Sequence, residues 1–156
     1  MTPLLVLRAG LLGVVAGLRS QVPAAALAAR DVEPPSAPLA FLASGGGRRA
    51  AYLAALGEIV ADKLPVTPNR MDRGPLIGRI VSGAVAGAVL ATARGVRGPR
   101  LVLPVATAAA GAYLGSWAGC TARAAVGRAT GLPDPAVAVG EDLVAVGLAA
   151  LAVRGA

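Results

Sequence analysis

The chain has 156 residues, 56% of them hydrophobic and 15% charged, with a mean hydropathy of +0.69; soluble domains run at roughly 45–50% apolar and about 25% charged. One domain of this length could not bury so much apolar surface in water, which excludes an ordinary soluble enzyme, a disordered polyelectrolyte and a disulfide scaffold. The 15 basic and 8 acidic residues leave a net charge of +7, yet the only aromatics, Phe41, Tyr52, Tyr113 and Trp117, are too few to interleave with arginines as a nucleic-acid surface requires.

Arginine-rich loops at a membrane face account for the charge instead. A lone cysteine, Cys120, excludes an intrachain disulfide, and the absence of histidine removes the commonest general base and metal ligand. The composition points to an all-α polytopic membrane bundle, with residues 1–156 forming one integral membrane domain.

The first apolar segment runs over about 4–29. It is read as a retained span, not a cleaved signal peptide, because only Arg8 precedes the apolar core and Arg19 interrupts the region before any cleavage site. Arg19-Ser20-Gln21-Val22-Pro23 breaks it, since Pro23 lacks a backbone donor and disfavours helix just before it. Such breaks form substrate sites in transporters. The alternative is a simple proline kink with Arg19 snorkelling to an interface.

A Pro/Gly-rich loop at 31–47 follows, then a second segment at about 48–64. Glu58 and Asp62 stand four apart on one face of it, with Lys63 one position round. Two carboxylates on one face need a cation, an arginine or a proton between them. They read either as a proton or cation site or as a structural ion-pair network with Arg19 or Arg79.

The third segment, about 75–93, carries Arg79 and the small-residue pair Gly83 and Gly87. A basic turn with Arg94, Arg97 and Arg100 leads to the fourth, about 101–130. There Leu101–Ala122 is free of charge and exceeds the ~20 residues needed to cross a bilayer core. Gly111, Gly115, Gly119, Arg123, Gly127 and Gly131 recur every fourth residue, a small-residue face of the kind that lets helices approach closely in lipid.

After the breaker Leu132-Pro133-Asp134-Pro135, the fifth segment, about 136–153, begins near the adjacent acids Glu141 and Asp142. One of these is expected to face the bundle while the other caps the helix start. With Arg123 they make a second charged cluster. Gly57-Glu58 and Gly140-Glu141, preceded by Arg19 and Arg123 respectively, hint at a weak inverted repeat.

The embedded charges Arg19, Lys63, Arg79, Arg123, Glu58, Asp62, Glu141 and Asp142 sum to zero, as buried charges should. Basic residues near the span ends divide into Arg8, Lys63, Arg70, Arg73, Arg123 and Arg128 on one side. Arg30, Arg48, Arg49, Arg94, Arg97, Arg100 and Arg154 fall on the other. With Lys63 and Arg123 discounted as internally paired, the second side is expected in the cytoplasm, the N-terminus outside and the C-terminus inside.

Gly17-Leu18-Arg19-Ser20, Gly57-Glu58-Ile59-Val60-Ala61-Asp62-Lys63-Leu64-Pro65, Arg79 and Glu141-Asp142 together resemble domain-of-unknown-function family 4126. The resemblance covers most of the chain except the loop at 31–47. It implies a small bacterial multi-spanning protein of the cytoplasmic membrane whose charged residues are its shared feature, and it supplies no substrate.

No serine-hydrolase, zinc-protease or P-loop motif occurs. No cofactor or metal is expected. The expected partners are the lipid bilayer, a second copy in a homo-oligomer and a small solute or ion. The leading expectation is transport or permeation of a proton, cation or small polar solute, with Glu58 and Asp62 binding and Arg19, Lys63, Arg79 and Arg123 balancing or gating. A non-catalytic scaffold or accessory subunit is the alternative, and a lipid-modifying enzyme a third.

Overall fold

The computed structural model describes residues 2–30, 37–62 and 71–154. Within them the chain is helical: α1 Pro3–Leu18, α2 Val22–Ala28, α3 Ala37–Ala43, α4 Gly45–Ala61, α5 Arg73–Ala93, a 3₁₀ turn at Gly98–Leu101, α6 Val102–Thr130 and α7 Asp134–Val153. Among the described residues there is no strand.

Local chemistry accounts for the element ends. The Ser44 hydroxyl accepts from the Gly47 N–H at 3.0 Å and starts α4. Gly131 closes α6 in the left-handed region, at φ 67°, which costs glycine nothing. Asp134 and Pro135 occupy the first turn of α7, Asp134 where a carboxylate suits the helix dipole and Pro135 where no N–H is needed.

Among the described residues three stretches, Arg73–Ala93, Gly98–Thr130 and Asp134–Val153, are long and apolar enough to cross a membrane. The 29 residues of α6 extend ~43 Å at 1.5 Å per residue, beyond a ~30 Å hydrocarbon core. The outward faces carry Ile77, Val81, Leu103, Leu114, Trp117, Leu143 and Leu151, each more than half exposed. Water would penalise such a surface, whereas lipid matches it.

At the centre, α1, α5 and α6 pack backbone to backbone. A methyl group at Gly13 or Gly17 would collide with the Ala108 or Ala112 carbonyl of α6, and one at Gly111 or Gly115 with the Gly10 or Val14 carbonyl of α1. One at Gly83 would lie 2.9 Å from the Ala112 methyl and one at Gly87 2.6 Å from that of Ala108. Gly119 is buried and lines a groove beside α7. Gly127 and Gly131 have open space around them, so the four-residue rhythm outlasts the contact it serves.

The contacts give each helix a direction. Numbers rise together between α1 and α6 and oppositely between α5 and α6, so α1 and α6 run parallel and α5 antiparallel to both. Ala145 and Ala149 of α7 join Val15 and Leu18, and Ala152 joins Leu5 and Ala9, so α7 returns towards the start of α1.

Three expectations are corrected here. The first segment is not one span: it is cut into α1 and α2, and α2 turns back, bringing Leu27 into the cluster that holds Leu5, Ala9 and Leu12. The N-terminus and Arg8 therefore lie at the same end as Arg94 and Arg154. The loop at 31–47 is partly helical, because Ala37–Ala43 forms α3 with Leu42 against the core and Ser44 initiates α4. Finally, the helices bearing Arg19 and Arg123 run parallel, while α4 and α7, bearing Glu58 and Glu141, run oppositely. A single inverting axis cannot relate both pairs, so the charged positions do not form an inverted repeat.

Candidate functional site

The break after α1 leaves polar backbone groups inside an apolar bundle, where each must find a partner. Arg79 of α5 reaches over and donates through Nη1 to the carbonyls of Gly17 at 2.9 Å and Leu18 at 2.8 Å. The single Ser116 O–H on α6 is shared between the Gly17 carbonyl at 3.2 Å and the Ala112 carbonyl of its own helix at 2.9 Å. The Ser82 hydroxyl on α5 donates to the Ser20 carbonyl. On the donor side, the Ser20 and Gln21 N–H groups both meet the Glu58 carboxylate of α4, at 2.7 and 2.8 Å, and the Ser20 hydroxyl donates to it at 2.8 Å.

Arg19 stands at the centre and is completely buried. Its Nε donates to Asp142 Oδ1 of α7 at 2.5 Å and its Nη1 to Asp62 Oδ2 at 2.6 Å and to the Leu18 carbonyl at 3.0 Å. Its Nη2 lies 3.9 Å from Glu141 Oε2. The snorkelling reading is thereby overturned: the guanidinium points into the bundle, because two carboxylates there hold it more strongly than an interface would.

The other two arginines share the same acids. Arg79 Nη2 is 3.5 Å from Glu58 Oε1 and 3.9 Å from Asp62 Oδ1. Arg123 Nη1 is 3.5 Å from Asp62 Oδ2 and 3.8 Å from Glu141 Oε2. Arg123 also grips Asp134 with two parallel bonds, Nε to Oδ1 at 2.6 Å and Nη2 to Oδ2 at 2.5 Å. Asp62 touches all three arginines.

The two sequence-level charge clusters are thus one, drawn from five helix ends or faces. Lys63 lies outside the described residues. Neither Glu141 nor Asp142 caps a helix: α7 begins at Asp134, two turns earlier, and both acids face Arg19. Ser20, Gln21, Ser82, Ser116 and Asp134 were not among the expected site residues. A signal for Asp134 was present in its place before Pro135, and for Ser20 in its place inside the break; nothing local marks Ser82 or Ser116.

The cluster lies about 10 Å inside one end of the bundle, judged from the six residues of α5 before Arg79 and the seven of α6 after Arg123 at 1.5 Å each. An apolar groove of about 620 Å³ between α6 and α7 borders it, with Arg123 and Glu141 in its wall alongside Leu18, Gly119, Val144 and Leu148. Among the described residues no three of His, Cys, Asp and Glu gather closely enough to hold a metal ion.

Comparison with family models, with curated proteins and with solved structures finds no match to this chain.

Proposed function

We propose that the chain is a multi-pass integral membrane protein whose arginine–carboxylate cluster is a permanent structural clamp. On this reading it acts as a non-catalytic scaffold or accessory subunit of the bacterial cytoplasmic membrane, not as a conduit. One observation carries it: the acids of the cluster are spent on the break itself. Glu58 would have to release two backbone N–H groups, a hydroxyl and Arg79 before it could take up a solute. Breaking a buried ion pair costs about 3–5 kcal/mol, so the released carboxylate is populated at below about 1%.

The fold also supports an orientation. Arg8, Arg30, Arg48, Arg49, Arg94, Arg97, Arg100 and Arg154 belong to one end, whereas Arg73 and Arg128 are the basic residues outside the cluster at the other, among the described residues. The bias is stronger than the sequence count because α1 and α2 form a hairpin. The arginine-rich end then faces the cytoplasm, together with both termini.

A second reading, permeation of a proton, cation or small polar solute, is favoured by the groove that reaches Arg123 and Glu141. Liposomes holding the wild type or Asp62→Asn separate the two. A clamp gives proton and monovalent-cation flux no higher than protein-free liposomes for either protein. Flux through the wild type that Asp62→Asn abolishes replaces the scaffold reading with permeation.

A further inference from the structure

The turn between α5 and α6, Arg94-Gly95-Val96-Arg97-Gly98-Pro99-Arg100, walls a cavity of about 570 Å³ at the end of the bundle opposite the clamp. Thr2, just before α1, and Leu5 of the first turn of α1 close its other side. The turn is held in one shape. Gly95 and Gly98 take the left-handed region, at φ 76° and 61°, where another residue would be strained. The Gly95 N–H donates to the Thr92 carbonyl and the Val96 N–H to that of Ala91, both at 3.0 Å. Val96 and Leu101 pack against the core cluster that holds Leu5.

Two cations of this turn face the cavity with donors to spare. Arg97 Nη1 donates to the carbonyls of Thr92 at 2.6 Å and Val96 at 2.9 Å, which satisfies the end of α5 and fixes the guanidinium in the cavity wall. Its Nε and Nη2 make no hydrogen bond, and Arg100 makes neither a hydrogen bond nor an ion pair, among the described residues. Both side chains are exposed. Arg94 lies in the same wall but has a partner of its own, so the site does not draw on it. Thr2 makes no side-chain cap for α1, and the first turn of that helix holds no acid. The positive end of α1 therefore adds to the field in the cavity. The described acids, Glu58, Asp62, Asp72, Asp134, Glu141 and Asp142, all belong to the clamp or the far end of the bundle. Asp31 and Glu33 lie outside the described residues.

We propose that this cavity binds the phosphate headgroup of one anionic phospholipid, with Arg97 and Arg100 as its cations and the Thr2 hydroxyl as a further donor. Guanidinium forks match phosphate oxygens bidentately, and a turn already held by glycines and backbone bonds loses little freedom on binding. The level fits, because the turn joins two membrane-long stretches, Arg73–Ala93 and Gly98–Thr130, and so lies at the bilayer face. Basic pockets between membrane helices suit anionic headgroups there. Leu5, Val96 and Pro99 give the cavity an apolar side for the glycerol and the first methylenes. A soluble phosphate ester shares the phosphate chemistry but leaves that apolar side unused. The site is separate from the clamp and does not rest on the scaffold reading.

The full chain in neutral detergent is titrated with dioleoylphosphatidylglycerol, with dioleoylphosphatidylcholine and with glycerol phosphate. Native mass spectrometry counts the retained molecules, and the thermal unfolding midpoint is followed. Saturable retention of one phosphatidylglycerol, with neither other probe retained, is expected. Arg100→Gln weakens that binding about fivefold, the scale of one basic residue near an anionic surface. Its midpoint without lipid stays at the parent value, because Arg100 is bound to nothing within the chain. Arg154→Gln removes the same charge from the same end, outside the cavity, and leaves binding unchanged. No saturable phosphatidylglycerol binding overturns the proposal. So does an equal loss in Arg100→Gln and Arg154→Gln, which makes the attraction a diffuse surface charge, and so does equal retention of phosphatidylcholine, which makes it apolar. Saturable glycerol phosphate binding that Arg100→Gln weakens overturns the lipid and assigns the cavity to a soluble phosphate ester.

Discussion

The Glu58 carboxylate caps the broken end of a helix that lies 38 residues earlier in the chain, accepting the Ser20 N–H at 2.7 Å and the Gln21 N–H at 2.8 Å. A side chain on α4 thus does for the start of α2 what a local N-cap does elsewhere, and it ties α4 to the bundle by the backbone of another element. Arg79 does the complementary service for the carbonyls of Gly17 and Leu18. The clustered charges of this protein are placed where a helix was interrupted.

Glu58→Ala leaves the Ser20 and Gln21 N–H groups without their acceptor and takes one carboxylate from Arg79. The expected loss is about 3–5 kcal/mol, the size measured for breaking buried pairs. Glu58→Gln keeps one acceptor oxygen for Ser20 but turns an amide N–H towards the Gln21 N–H, so it loses less than Glu58→Ala without being neutral. Thermal or denaturant unfolding in detergent measures both. Equal, small losses for the two variants would mean that the cap is replaced by water at no cost.

The two aspartates of α7 differ in kind. Asp142 is held by the buried Arg19, while Asp134 is 68% exposed and meets Arg123 at the bundle edge. Asp134→Asn should cost less than about 1 kcal/mol, as exposed pairs do. Asp142→Asn should cost several times more, because it strips a partner from a cation that has no water to turn to. A reversed order in unfolding measurements contradicts the assigned burial.

Glycines of α6 divide by contact, not by spacing. Gly115→Leu drives a side chain into the Val14 backbone and is expected to abolish monodisperse protein. Gly127→Ala meets nothing and should stabilise by up to about 1 kcal/mol through helix propensity. Size-exclusion profiles and melting temperatures of the two variants check this; equal tolerance would remove the close α1–α6 approach.

Topology can be read directly. A fluorescent reporter that works only in the cytoplasm is expected to be bright when fused before Met1 and also after Ala156. A dark N-terminal fusion beside a bright C-terminal one would require α1 and α2 to form a single crossing. Activity of a periplasmic reporter at the same sites, in part of the population, would indicate dual insertion.

The amino-acid order already carries the helical class, the bounds of the later helices and seven of the clustered charges, Arg19, Glu58, Asp62, Arg79, Arg123, Glu141 and Asp142, but not Asp134. These are one-dimensional quantities: apolar run length, proline and glycine punctuation, and ionisable residues inside apolar runs. It also marked Arg19-Ser20-Gln21-Val22-Pro23 as a break, because a proline without an N–H interrupts a helix wherever it lies. What the break does rests on long-range packing. Whether residues 4–29 cross once or fold back depends on Leu27 finding Leu5 and Leu12, a packing energy with no local signature. Whether Glu58 and Asp62 wait for an ion or hold a backbone depends on which groups α1, α5 and α7 bring opposite them. Four-residue spacing records a shared face, and the neighbour across that face, 38 residues away for Ser20 and 123 for the Arg19–Asp142 pair, is fixed by the pairing of helices alone.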